Sequence, residues 1–136
     1  MAVAENNGIQ SEIIPGIASG FCGGMSRTDG LCGALVGGIM ALGMLYGRKS
    51  SEDPNYPVYA LTERLVLDFE KAFGSRNCTD LLGCDISTRE GEAFFFKKEL
   101  GKTLCRDITV RTAELLTNVM ENRKTIQHTL IKPPAD

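Results

Sequence analysis

The chain is short of several residue types and patterns that catalytic and binding proteins depend on. It has a single histidine, His128, in 136 residues. A His-dependent catalytic triad or a zinc hydrolase site therefore has little to work with. It has no C-x-x-C pair, so the common zinc ribbons and fingers lose their usual signature, and without C-x-x-C-H there is no site for covalently attached haem. Neither G-K-[ST] nor a G-x-G-x-x-G following a strand is present, which removes the usual phosphate-binding loops. There is no excess of basic residues: 15 Lys and Arg stand against 17 Asp and Glu, for a formal charge of -2. That balance argues against a nucleic-acid partner. The longest uncharged apolar stretch, "LCGALVGGIMALGMLY" from Leu31 to Tyr46, is 16 residues long. A spanning helix needs about 20, so this segment is expected to be a buried core helix and no membrane span is expected. The N-terminal "MAVAENNGIQSE" has neither a basic start nor an apolar block, and a cytoplasmic location is expected.

The chain is rich in glycine, with 15, and has five cysteines: Cys22, Cys32, Cys78, Cys84 and Cys105. Without an export signal, an odd number of cysteines suits thiol chemistry or metal binding better than a disulfide framework.

No segment alternates like a strand, and helical spacing recurs throughout. "SEIIPGIASGF" suits a short helix with Pro15 in its first turn, ended by a glycine-rich turn, "CGGMSRTDG". A second helix is expected from about Asp29 to Tyr46, capped by Thr28 or Asp29 and ended by a left-handed Gly47. Its interior glycines, Gly33, Gly37, Gly38 and Gly43, together forfeit roughly 3–4 kcal/mol of helix propensity. Close packing would offset that, so this helix is placed at the centre. Val58, Leu61, Leu65, Phe69 and Phe73 mark a third helix, stopped by Gly74. A short helix around Cys78 follows, then one opened by a Ser87–Glu90 capping box. The last helix, about Thr103 to Arg123, turns Cys105, Ile108, Thr112, Leu115, Leu116 and Val119 inward. The expected fold is all-α, a compact bundle of five or six helices around the Gly-rich helix. A flexible segment is expected over 1–10, one helical domain over 11–124 and a C-terminal tail over 125–136.

If Asp29 caps the second helix, Cys32 is its third residue. Unpaired N–H groups and the positive end of the helix dipole then favour the thiolate. Cys78 has the same prospect behind Ser75 or Asn77, and Cys105 lies near the start of the last helix. Three cysteines at helix starts are a candidate site, with Cys32 the activated thiolate and Cys78 and Cys105 its partners. Arg27, Arg76 and Arg106 lie near cysteines in the sequence and read more simply as solvated. Cys84, after a glycine at a helix end, reads as packing. Four thiolates gathered by folding are also what an iron–sulfur cluster requires. "AFFFKK" spreads three phenylalanines over more arc than one core face accepts, which leaves at least one for a partner or a second copy in a homodimer.

"CGALVG" (Cys32–Gly37), "FGSRNCTDLLG" around Cys78 and Cys105 in the final helix resemble the C-GCAxxG-C-C family, whose redox activity is inferred from its cysteines. The resemblance spans about residues 17 to 119. It implies a small protein with four shared cysteines that engages a redox partner protein. It also implies, as in some relatives, electron transfer with an iron cofactor, and genes often found near those of transporters. Cys32, Cys78 and Cys105 match the last three family cysteines and are the expected catalytic thiols and metal ligands. The first family cysteine lies upstream of the segment matching "ASGFCGG", where this chain has none. Cys22 and Cys84 are the candidates for that fourth, cofactor-binding place. The alternative function is a non-enzymatic helical interaction module, transporter-associated, with buried structural cysteines.

Overall fold

The computed structural model describes residues 2–130, and the expected tail segment "IKPPAD" lies outside them. Eight right-handed helices occur among the described residues: α1 (Ala2–Asn6), α2 (Ile13–Ala18), α3 (Gly33–Tyr46), α4 (Tyr56–Phe73), α5 (Cys78–Leu82), α6 (Arg89–Lys97), α7 (Leu104–Glu121) and α8 (Arg123–Leu130). The protein is all-α. Its one strand-like pairing among those residues is an isolated antiparallel bridge between Leu31 and Asn77.

The core is the three-way junction of α3, α4 and α7. Leu35 and Leu42 of α3, Leu61, Leu65 and Phe69 of α4, and Ile108, Leu116 and Val119 of α7 form one buried cluster. Leu61, Leu65 and Phe69 are four apart, so a single stripe of α4 faces the other two helices. The inward face read from the sequence of α7 is the buried one, including Thr112, whose hydroxyl donates to the Ile108 carbonyl at 2.6 Å. That internal hydrogen bond is what allows a polar side chain into the cluster.

The central helix is Gly-rich for reasons that differ along its length. At Gly38 a Cβ would stand 2.9 Å from the Leu65 Cδ2, so the bare backbone admits α4. At Gly33 it would come within 3.0 Å of the Phe21 carbonyl. Gly37 and Gly43 face open space, with nothing within 4 Å of a Cβ. The close packing expected to offset these glycines is therefore used at single points rather than along the whole helix.

Several helix ends differ from the expected ones. Neither Thr28 nor Asp29 caps α3; the helix starts four residues later, with Cys32 in the N-cap position. Asp29 has a φ of 56°, a conformation no helix entry uses. Gly47 is extended (φ -72°, ψ 169°) rather than left-handed. Glycine is needed there because a Cβ would collide with the Gly43 carbonyl, to which Gly47 N–H donates at 2.9 Å. Thr88, not Ser87, caps α6, accepting from Gly91 N–H at 3.1 Å. Ser87 instead donates to Asp85 at 2.6 Å. Gly74, with φ 80°, does close α4. Both chain ends carry helices that local periodicity did not mark. Ala4 of α1 is buried, and α8 is tied to the start of α4 by Gln127, which donates to the Pro57 carbonyl at 3.0 Å.

Candidate functional site

The site forms where three helix starts meet. The Leu31–Asn77 bridge is flanked by two backbone hydrogen bonds: Cys32 N–H to the Arg76 carbonyl at 2.8 Å, and Cys78 N–H to the Gly30 carbonyl at 3.0 Å. This clamp joins the entry of α3 to the entry of α5. Cys32 and Cys78 each follow a bridge residue, so side-chain alternation puts them on the same side of the clamp. They are diagonal neighbours across it, at a Cα spacing of about 7–8 Å. That is just beyond the range spanned by a disulfide, which is about 4.4–6.8 Å.

The glycine-rich turn before the clamp has an unusual backbone. Gly23, Gly24, Met25 and Ser26 all have φ between 59° and 67° with ψ between 36° and 60°, and Arg27 follows at φ 67°. Cys22–Arg27 is thus a single left-handed helical turn, a conformation that L-residues disfavour by about 1–2 kcal/mol each. The sequence marks a turn here, but not its hand. Gly24 is buried, and a Cβ on it would collide with the Cys78 Cβ and stand 3.2 Å from its Sγ. Only glycine can lie this close over Cys78.

Burial is the main electrostatic fact of the site. It pushes the Cys78 thiol up to about 11, with the neighbouring Cys32, Cys105, Asp29 and Cys84 adding to the rise. The Cys105 thiol is also raised, by burial first and then by Cys32 and Cys84. The Cys84 thiol is raised by burial and by Asp85. The Asp85 carboxyl is itself held below the ordinary carboxylate range by the hydroxyl and backbone N–H of Ser87. The expected thiolate at Cys78 is therefore corrected: the folded protein favours the neutral thiol. Two of the N–H groups at these helix starts are already occupied. Cys78 N–H donates to Gly30, and Cys105 N–H donates to the Leu100 carbonyl at 2.9 Å. Nor do nearby arginines help. Arg27 pairs with Glu92, Arg76 with Glu70 at 3.4 Å, and Arg106 is exposed.

The structure therefore brings Cys32, Cys84 and Cys105 within range of Cys78, and Cys32 and Cys84 within range of Cys105, from three separate segments of the chain. Cys84 joins this group although its local sequence suggested only packing. Cys22 is exposed at the start of the left-handed turn and is not among the charges acting on Cys78 or Cys105. Asp29 is the neighbour that sequence reasoning missed, because only the left-handed backbone carries it toward Cys78. Among the described residues, no group of three or more His, Cys, Asp or Glu side chains is arranged to hold a metal ion. His128 is exposed on α8.

Two surface features flank the site. A groove along α7 is lined by the apolar Phe73, Leu81, Leu104 and Ile108 together with the charged Arg106, Asp107 and Arg111. On α6, Phe94 and Phe96 are 44% and 62% exposed, so two of the three adjacent phenylalanines do stay outside the core.

An all-helical protein whose distant cysteines converge at helix starts is, by class, a small thiol protein. The family model described as "Putative redox-active protein (C_GCAxxG_C_C)" matches residues 1–119, and the chain belongs to this family. It is also similar to an uncharacterised protein of Archaeoglobus fulgidus, 30% identical over 135 residues, covering 92% of this chain and 83% of that one. No solved structure matches it significantly. Among the described residues, no helix is long and apolar enough to cross a membrane.

Proposed function

We propose that this protein is a cytoplasmic thiol–disulfide electron carrier in which Cys32 and Cys78 form the working pair and Cys105 and Cys84 are the adjoining thiols. The observation that supports this most directly is the clamp, which holds Cys32 and Cys78 as diagonal neighbours on one side of a two-segment ladder, slightly beyond disulfide range, so that a small backbone shift at the clamp is needed for closure. The oxidant is the disulfide of a partner protein. The Cys32 sulfur, the less buried of the two, gives up its proton and attacks one partner sulfur. The partner S–S bond breaks and its other sulfur leaves as thiolate. Cys78 then loses its proton and attacks the Cys32 sulfur, which expels the second partner thiolate and closes the Cys32–Cys78 disulfide. Two electrons pass to the partner, and the two protons end on its thiols.

The test is equilibration in a thiol–disulfide redox buffer with mass-spectrometric mapping of cross-links. A reversible Cys32–Cys78 disulfide, abolished by Cys32→Ser and by Cys78→Ser, is the expected result. If Cys32 forms no intramolecular disulfide at any potential where the fold persists, the reading is wrong. Anaerobic purification tests the cluster alternative: brown colour with stoichiometric iron would replace dithiol exchange with one-electron transfer. The burial and raised pKa of Cys78 favour a second reading, an interaction module with inert thiols. Slow alkylation of all five cysteines in the folded protein would select it.

A further inference from the structure

The left-handed turn over Cys78 is the most strained segment among the described residues, and it is lightly fastened. Met25, Ser26 and Arg27 follow two glycines in the left-handed region, each with a side chain that opposes it. Within Cys22–Arg27 only Gly24 is buried. Its carbonyl accepts from Gly30 N–H at 3.0 Å, and the Ser26 hydroxyl donates to the Gly20 carbonyl at 2.9 Å. The long-range side-chain contact is the ion pair between Arg27 and Glu92 of α6, two groups that are 52% and 40% exposed. Salt screens a pair this exposed. Cys78, in contrast, is 8% exposed and lies directly beneath Gly24. No partner sulfur reaches it while the turn is closed.

We infer that the Cys22–Arg27 turn is a strained gate over Cys78, latched by the Arg27–Glu92 ion pair, and that its local opening controls access to the buried thiol. The inference rests on the thiol reading above, in which the partner meets Cys32 first, and it adds control over direct attack on Cys78 by an external thiol, disulfide or electrophile. Little apolar surface is exposed when the turn lifts, so opening is local rather than global. The clamp lies outside the turn. Cys78 therefore stays beside Cys32 when the gate opens. Strain favours the open state and the latch the closed one, which fixes the sign of each perturbation.

The test is the alkylation rate of Cys78 by iodoacetamide in the folded full-length protein, mapped by mass spectrometry, with the exposed Cys22 as internal reference. Glu92→Gln, or raising salt from 0.05 to about 1 M, is expected to speed Cys78 alkylation several-fold relative to Cys22. The double substitution Met25→Gly, Ser26→Gly removes two strained side chains and is expected to slow it several-fold. The gate is overturned if neither Glu92→Gln nor salt changes the ratio, or if the double variant reacts as fast as the parent or faster. It is equally overturned if Cys78 reacts only in step with whole-chain unfolding in urea. These rates report access alone. A gate that behaves as expected in a protein that forms no Cys32–Cys78 disulfide would retain the gate and discard the redox reading.

Discussion

Cys32 and Cys78 are held in register by a reciprocal pair of backbone hydrogen bonds, at 2.8 and 3.0 Å, that brackets the Leu31–Asn77 bridge. This two-residue ladder ties the entry of α3 to the entry of α5 and occupies the Cys32 and Cys78 N–H groups. It joins the two cysteines at a place where burial raises the Cys78 thiol.

Gly24 and Gly37 should respond oppositely to alanine. Gly24 has φ 67°, and a Cβ there collides with Cys78. Gly24→Ala is expected to cost about 2–4 kcal/mol from backbone strain and overpacking together. Gly37 is a helix-interior glycine facing open space, so Gly37→Ala is expected to gain up to about 1 kcal/mol. Urea midpoints of the two variants measure both.

Alkaline pH should weaken the fold through Cys78. Its thiol rises from an ordinary 9.0 to about 11 in the folded protein. Between those values the unfolded chain has released its proton and the folded one has kept it. The stabilisation is complete below pH 9 and declines as pH rises toward 11, by on the order of 2 kcal/mol in all. Cys78→Ala should flatten this decline in stability curves measured from pH 8 to 11. A parent curve as flat as the variant's would contradict the assignment.

The cap of α6 should be Thr88 and not its neighbour. Thr88→Ala removes the acceptor for Gly91 N–H and is expected to cost about 1 kcal/mol. Ser87→Ala leaves that acceptor in place, keeps the Ser87 backbone N–H bond to Asp85 and removes only the exposed hydroxyl bond to it, so its cost should be clearly smaller. Thermal unfolding of the pair decides which residue caps the helix.

Phe69 is the largest fully buried side chain, sited where α4 crosses the core. Phe69→Ala should destabilise by about 3–5 kcal/mol, because the void is walled by three helices that cannot collapse together. Leu67, 54% exposed on the same helix, should change by less than about 0.5 kcal/mol when replaced by alanine. Chemical denaturation of the two gives the contrast between the faces of α4.

Much of the framework was readable in the chain because it is local. The four-residue spacing of Leu61, Leu65 and Phe69 marks a helix and its inner face, and Gly74 marks its end, since both follow from geometry within a few residues. The inward face of α7 was readable on the same grounds. The starts of α3 and α6 were not, because each depends on which of several hydrogen-bond partners wins, a distant one at α3 and a competing neighbour at α6. Cys32 N–H finds Arg76, a residue 44 positions away, and Ser87 is drawn off to Asp85. The helix of residues 123–130 is supported by its packing on α4.

The amino-acid sequence, then, was sufficient for the all-helical class, the three core helices and the thiols that match the family, all of which are written in spacing and residue type. The tertiary structure alone decided which cysteines meet, the hand of the turn above Cys78 and the direction in which that thiol's acidity moves. Those outcomes depend on burial and on hydrogen bonds between distant segments, and neither exists until the chain has folded.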